Sequence, residues 1–323
     1  KRQVQTYIIK RTLLFIPTML LVASLVFGIL RLVPGDPAIS LLQGGPQTET
    51  DVTEEDIQRL RAKLGTDRPI HVQYATWVWG IVQLDFGNSF FYDQPVFDDI
   101  KKRFPITFEL SLLALMMCMV VAVPLGVISA IKQDSLTDYA GRIITIAGMA
   151  IPNFWIGILL VYMLANMFNW LPPIGYKDFW DSPATNLQQL AFPAFALALT
   201  HMAFIARVTR SAALEVSRED YIRTARSKGL SEKAVIFKHL LKNALLPVVT
   251  VAGFEVGRLM GGTVLIETIF NVPGIGQLLI KGIQHRDFPM VQGIVIVITL
   301  VVLLTNLVVD SAYAWLNPRI RYS

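Results

Sequence analysis

Long apolar runs alternate with polar intervals along this chain. Six runs approach the roughly 20 residues that a helix needs to cross a bilayer. They lie at about 12–30, 104–131, 143–168, 190–206, 244–266 and 289–309. The fourth run is short, unless its helix continues past Arg207 and Arg210. The pattern predicts an all-α polytopic membrane protein with six transmembrane helices, the first of them an uncleaved helix rather than a signal peptide.

Two long polar intervals separate some of these runs and differ in charge. Residues 31–103 carry eleven Asp/Glu against eight Lys/Arg, whereas residues 207–243 carry nine Lys/Arg against four Asp/Glu. Because cationic loops stay in the cytoplasm, we expect 207–243 and both termini inside the cell and 31–103 outside. The chain then divides into an N-terminal end with the first helix (1–30), an external module (31–103) and a five-helix core (104–323).

Local sequence signals predict short helices in the external interval. Thr53 and Asp56 have the spacing of a capping box, and Gly65 is placed to end the helix that they begin. Residues 72–84 include Trp77 and have the composition of an amphipathic helix at a membrane interface. We therefore expect an ordered module rather than a long spacer loop.

The cationic interval shows the pattern helix, glycine, helix. Ser217 and Asp220 predict a capping box for a helix at about 218–228, and Gly229 is placed to stop it. Apolar residues then recur at helical spacing up to Leu245. This pattern alone leaves two interpretations open. Either a cytoplasmic protein binds the segment, or the two helices lie on anionic lipid headgroups.

Composition narrows the class of protein further. The chain is 53% hydrophobic and 16% charged, and its net charge of +5 sits in loops beside apolar runs, so we expect no nucleic-acid partner. Cys118 is the only cysteine, which excludes an intrachain disulfide, and only four His are present, so no metal site is expected. The sequence has no Gly-Lys-Ser/Thr nucleotide-binding loop, H-E-x-x-H pair or G-x-S-x-G elbow. We predict no catalytic residue and no cofactor bound by this chain.

Several stretches of sequence resemble one known family. They are Leu32-Val33-Pro34-Gly35-Asp36-Pro37, Asp85-Phe86-Gly87-Asn88-Ser89-Phe90, Asp220-Tyr221-Ile222-Arg223-Thr224-Ala225-Arg226-Ser227-Lys228-Gly229, Lys242-Asn243-Ala244-Leu245-Leu246-Pro247 and Phe270-Asn271-Val272-Pro273-Gly274-Ile275-Gly276. Together they are similar to ABC importer permease subunits of the dipeptide/oligopeptide (peptide/nickel) family. In that family a cytoplasmic loop has the pattern E-A-A, three residues, Gly. Here Arg223-Thr224-Ala225 and Gly229 stand at those positions.

The resemblance implies the type I ABC importer permease fold, with an external insertion after the first helix. It also implies that the short helix couples the permease to an ATPase by inserting into a groove of that subunit. The residues implied in coupling are Asp220, Tyr221, Arg223, Thr224, Ala225, Arg226 and Gly229. We expect Tyr221, Ile222 and Ala225 to form its small exposed apolar face beside the cations.

The same resemblance implies a set of partners in the bacterial inner membrane. They are two cytoplasmic ABC ATPases that bind ATP and Mg, a second homologous permease subunit in a heterodimer, and an external substrate-binding protein. This chain would be a non-catalytic subunit that alternates access to a central path, with di- or oligopeptides as the expected substrates. Nickel and glutathione are alternatives within the family, and an ion-coupled secondary transporter is the alternative outside it.

The fifth apolar run contains charged and small residues at helical spacing. Glu255 and Arg258 are three residues apart and can pair on one helix face, either to satisfy each other or to line the translocation path. Gly253, Gly257 and Gly261 form a ridge that lets another helix, in this chain or in a partner, approach closely.

Overall fold

The computed structural model describes residues 2–32, 34–44 and 53–316. Its elements are α1 (Arg2–Leu32), α2 (Pro37–Gly44), α3 (Glu54–Leu64), α4 (Ile70–Val82), α5 (Val96–Ile131), α6 (Leu136–Ala150), α7 (Asn153–Met167), α8 (Pro183–Ser217), α9 (Asp220–Ser227), α10 (Glu232–Ala234), a π-helical turn (Val235–Leu240), α11 (Leu241–Ile269), α12 (Ile275–Gln284) and α13 (Phe288–Leu316). Within the described ranges β-structure is limited to one isolated bridge, between Asn88 and Pro95. The all-α prediction is confirmed.

Five helical stretches are long and apolar enough to cross a bilayer. They are Leu13–Leu32, Val96–Ile131, Pro183–Ser217, Glu232–Ile269 and Phe288–Ser311. α6 and α7 together make a sixth candidate span, but they meet at an angle of 96°. The prediction of one continuous helix over 143–168 is therefore wrong. Pro152 lacks a backbone N–H and disfavours a helical Ile151, which has φ −92° and ψ 125°.

The fourth apolar run belongs to a helix much longer than the run itself. α8 has 35 residues and continues to Ser217, so it includes Arg207 and Arg210. Its last turns are held by buried Ala212 and Ala213, which pack against the cationic segment that follows. α8 therefore continues without a break from the apolar run into the polar interval.

The described residues up to Thr107, together with Pro273–Leu304, form one compact unit of the chain. The predicted division at residues 30 and 103 does not group these two parts together. Its apolar core includes Phe86, Val96, Ile275 and Met290. The loop before α5 is tied down by the buried carboxylate of Asp287. This carboxylate accepts hydrogen bonds from the Ser89 hydroxyl and from the N–H groups of Phe90, at 3.1 Å, and Phe91, at 3.2 Å.

The short helices of this unit follow the local signals in the sequence. Thr53 and Asp56 form the expected capping box, and Gly65 ends α3 in the left-handed conformation with φ +68°. Hydrogen bonds from Thr53 hold the pKa of the Asp56 carboxyl below its usual value. α4 covers most of the predicted 72–84 helix, and its Trp77 ring packs on Phe27 of α1, with centroids 5.6 Å apart.

Phe108–Val272 and the described residues from Thr305 to Leu316 form the second compact unit. α8 lies at its centre and packs against α6, α7 and α11. α5 also approaches α8 closely, because Gly126 has no side chain. A Cβ at Gly126 would collide with the carbonyl of Ala206 and the side chain of Thr209.

Candidate coupling surface and buried charged residues

The cationic segment between α8 and α11 is seated on the rest of its unit by its apolar residues. Ile222 is fully buried and Ala225 is 6% exposed, and both join a cluster with Ala213 of α8 and with Val235 and Leu240. The expectation that Ile222 and Ala225 lie on an exposed face is therefore wrong. They hold α9 against its own chain, because a short isolated helix needs tertiary packing to be stable.

The free face of α9 is polar, with one aromatic ring. Tyr221 is 40% exposed, and its hydroxyl accepts a hydrogen bond from the Asn243 amide at 2.8 Å. Arg223 is 75% exposed and has a loose contact of 3.7 Å with Asp220, while Thr224 is exposed beside them. Such exposed pairs are worth little in stability. These side chains are therefore free to contact another molecule.

The end of α9 is fixed by a glycine, but its start is not the predicted one. Gly229 has φ +78°, and its N–H bonds to the carbonyl of Arg226 at 2.9 Å, as expected of the residue that stops a helix. The predicted capping box at Ser217 is wrong. Ser217 is the last residue of α8 and donates to the Leu214 carbonyl at 2.8 Å, and Glu219 precedes α9 without a side-chain cap.

The chain after Gly229 contains a feature that the apolar pattern did not predict. Val235–Leu240 is a π-helical turn, a form that often marks functional sites. Val235 and Leu240 are buried, but Phe237 is 71% exposed. In a regular α-helix Val235 and Leu240, five residues apart, would lie on different faces, and the wider π-helical turn brings them onto one face. Phe237 is a further apolar residue exposed on the surface that is predicted to face the cytoplasm. Spacing alone does not reveal the change of helix type that buries Val235 and Leu240 together.

A charged group lies deep in the second unit, on α11. Glu255 is 2% exposed and contacts two basic side chains. One oxygen lies 3.0 Å from a guanidinium nitrogen of Arg258, and the other lies 2.5 Å from Nδ1 of His201 on α8. Arg258 itself is 68% exposed, and its guanidinium carbon is 5.9 Å from the centre of the Phe204 ring. The pair thus presents one buried carboxylate and one accessible cation.

Comparison with known proteins decides the class of the chain. The family described as binding-protein-dependent transport system inner membrane component matches residues 122–322, and the N-terminal part of such membrane components matches residues 4–111. The chain belongs to this family. The resemblance to ABC importer permeases is confirmed, and with it the type I permease fold.

Individual relatives match the sequence of the permease over nearly its whole length. A Brucella abortus protein named as a peptide transport system permease is 42% identical over 315 residues, which is 98% of each chain. The glutathione transport system permease protein GsiC of Salmonella choleraesuis is 39% identical over 316 residues, covering 98% of this chain and 99% of its own. A solved amino acid ABC transporter aligns with a TM-score of 0.45 and 16% identity, over 66% of this chain and 90% of that one.

The three glycines on α11 of the permease have different surroundings. A Cβ at Gly253 would collide with the side chain of Val309, so α11 and α13 approach closely there. Gly257 is buried. Gly261 is exposed, and among the residues that the structure describes no atom beyond its own helix turn lies within 4 Å of the position of an added Cβ. Close packing at Gly261 therefore stays a prediction about a partner.

The permease also has a buried ion cluster that sequence reasoning missed. The side chain of Asp138 on α6 is fully buried and receives two hydrogen bonds from Arg210 of α8, both 2.7 Å long. Arg142 donates to it at 2.6 Å and the Ser129 hydroxyl of α5 at 2.5 Å. The only signal in the sequence was the four-residue spacing of Asp138 and Arg142. The cluster joins three helices near the cationic segment between α8 and α11.

The polar loop between α7 and α8 is tied to α5 by hydrogen bonds. The hydroxyl of Tyr176 donates to the Glu109 carboxylate at 2.8 Å. Burial, together with this bond to a carboxylate, raises the pKa of the Tyr176 hydroxyl well above its ordinary value. Tyr176 therefore remains a neutral donor at physiological pH. The Gln189 amide donates to the carbonyls of Pro173, at 2.9 Å, and Gly175, at 2.7 Å.

Proposed function

We propose that this permease passes peptides across the bacterial inner membrane, and that α9 with Gly229 is the segment through which an ATPase drives it. The way α9 is attached supports this proposal. Ile222 and Ala225 fix the helix to its own chain, while Tyr221 and Arg223 face away from it. A helix held firmly on one side and exposed on the other passes on the displacement imposed by a partner.

The contacts of α9 give that displacement a route into the membrane. Ala213 connects α9 to α8, and the π-helical turn Val235–Leu240 connects it to α11. These are the two helices that meet at the hydrogen bond between His201 and Glu255. A shift of α9 would therefore reach both helices of this pair, and we propose that it reorients them around the translocation path.

We propose the partners of this subunit from its family membership and from the absence of a nucleotide-binding loop in its sequence. Its sequence has no nucleotide-binding loop, so two separate ATPase subunits would bind ATP and Mg and carry out the hydrolysis. A second, homologous permease subunit would complete the path, and an external binding protein would deliver the substrate. The coupling segment and both termini would then face the cytoplasm, and residues 31–103 would face the binding protein.

Sidedness can be tested by labelling single cysteines in a Cys118→Ala background, with Cys118 being buried. Glu54→Cys at the exposed start of α3 should react with a membrane-impermeant maleimide added outside intact cells. Lys228→Cys beside the coupling helix should react only after the membrane is opened. Both residues are exposed in the permease. Reaction of the Glu54 variant only from the cytoplasmic side would contradict the proposed topology.

We propose di- or oligopeptides as substrates because relatives that match nearly the whole chain are named as peptide and glutathione permeases. Arg258 suits such a cargo. Its exposed guanidinium can make a transient charge-assisted bond to a peptide carboxylate. Glu255 is paired with His201 on its other side, so it remains satisfied when Arg258 turns towards a substrate.

Arg258→Met should lower ATP-driven uptake of peptides about tenfold, the loss expected for one charge-assisted hydrogen bond. Assembly and basal ATPase activity should not change, because Arg258 is largely exposed and Glu255 keeps His201 as its partner. Arg258→Lys is the matched control and should retain most of the uptake. Wild-type uptake by the Met variant across several peptides would show that the pair is only structural.

A further inference from the structure

A cavity of about 240 Å³ lies between α5, α6 and α8 in the second unit. Its walls include Leu125, Ser129, Arg142, Ile146, Arg207 and Arg210. A water molecule takes up about 30 Å³ in the liquid, so the cavity can hold a group several times larger. The cavity is separate from the α9 surface and from Glu255, and neither the coupling nor the transport proposed above uses it.

The cavity carries more positive than negative charge. Arg210 and Arg142 share the buried Asp138, and Arg142 also reaches Asp134 at 3.0 Å. Arg207 is different. Among the residues that the structure describes it has no carboxylate partner, and its guanidinium carbon lies 5.4 Å from the centre of the Phe204 ring. Three cations against two acids leave one net positive charge, and Arg207 is free to bind an anion.

The lining of the cavity changes from apolar to polar along all three helices. On α5, Leu125 precedes Ser129 by about one turn. On α6, which returns after the short loop at 132–135, Ile146 follows Arg142 by one turn. The polar residues of both helices thus lie at the end near this loop. On α8 the polar residues likewise lie towards the end that leads to the coupling segment. This end is the predicted cytoplasmic side.

We infer that the cavity binds the headgroup of an anionic phospholipid of the cytoplasmic leaflet. Arg207 and the accessible edge of Arg142, whose side chain is 38% exposed, would bind the phosphate. The first carbons of the acyl chains would then contact Leu125 and Ile146. The apolar half of the lining favours a lipid over a free phosphate ion, since a free ion gains nothing from it. Basic pockets between helices at the cytoplasmic side are suited to such headgroups.

The test uses the intact transport complex in nanodiscs that contain phosphatidylcholine with a minority of phosphatidylglycerol. Native mass spectrometry then measures the phosphatidylglycerol retained on the complex. Arg207→Gln should reduce retention about tenfold. Thr145→Trp, which fills the cavity without removing a charge, should do the same. Lys132→Gln is the matched control, since Lys132 is an exposed cation at the end of α5 that does not line the cavity. It should retain the lipid as the wild type does.

Each other result would overturn the inference. Equal loss in Arg207→Gln and Lys132→Gln, with retention unchanged in Thr145→Trp, would mean that the complex attracts anionic lipid only by its general charge. Unchanged retention in Arg207→Gln and Thr145→Trp would mean that the lipid binds elsewhere. Displacement of the lipid by millimolar inorganic phosphate would make the cavity a phosphate site rather than a lipid site. None of these results would bear on the proposed peptide transport.

Discussion

Replacing Gly229 by Val is expected to separate ATP hydrolysis from peptide uptake while leaving the complex assembled. Gly229 has φ +78°, and among the described residues none beyond its chain neighbours lies within 4 Å of a Cβ added there, so the substitution introduces backbone strain without a steric clash. A non-glycine residue in an unfavourable backbone conformation costs about 1–3 kcal/mol. That cost is enough to change the population of the native turn roughly five- to 150-fold. We expect the number of peptides transported per ATP to fall at least about fivefold.

The chain provides a matched control for this variant. Gly65 also ends a helix in the left-handed conformation, with φ +68° and open space at its Cβ, but it lies in the interval predicted to be outside. Gly65→Val imposes the same type of strain and should leave the ratio of uptake to hydrolysis unchanged. Equal ratios in both variants and the wild type would contradict the role of the turn after α9.

Asp138→Asn is expected to be the most destabilising substitution among the charged residues of the second unit. The variant leaves Arg210 without an anionic partner beside a fully buried position. Removing one member of a buried ion pair costs about 3–5 kcal/mol. The unfolding midpoint and the yield of the purified complex should both fall. The midpoint is measured by thermal unfolding of the purified complex in detergent.

Asp134→Asn serves as the control, because Asp134 also pairs with Arg142 but its side chain is 64% exposed. Exposed pairs contribute about 0–1 kcal/mol, so its midpoint should stay near that of the wild type. Adding Arg210→Gln to Asp138→Asn should recover part of the lost stability, since it removes the unpaired cation. A midpoint for Asp138→Asn equal to that of Asp134→Asn would mean that the cluster does not stabilise the permease.

Features set by neighbouring residues were predictable from the sequence. The capping box of Thr53 and Asp56 and the left-handed Gly65 and Gly229 depend on fewer than five residues each, and they are seen as expected. The apolar runs likewise predicted the long spans, because a membrane crossing is fixed by length and hydropathy alone. The family stretches added the fold, which the family match confirms.

Features that depend on distant residues were not predictable in the same way. Asp138 meets Arg210, and Glu255 meets His201, only after helices far apart in sequence have packed together. The apolar pattern of α9 correctly marked Ile222 as a residue to bury, but not whether its own chain or a partner would cover it. Ser217 has the spacing of a cap, yet the packing of α8 keeps it helical, because tertiary contacts outweigh a local capping preference.

The most direct test of the central claim is peptide uptake by the purified native complex, reconstituted in vesicles with its external binding protein. We predict that uptake of a labelled dipeptide requires hydrolysable ATP and the binding protein, and that it persists when ionophores collapse every ion gradient. Uptake driven by a proton or sodium gradient in the absence of ATP would contradict this account, and would make the permease an ion-coupled secondary transporter.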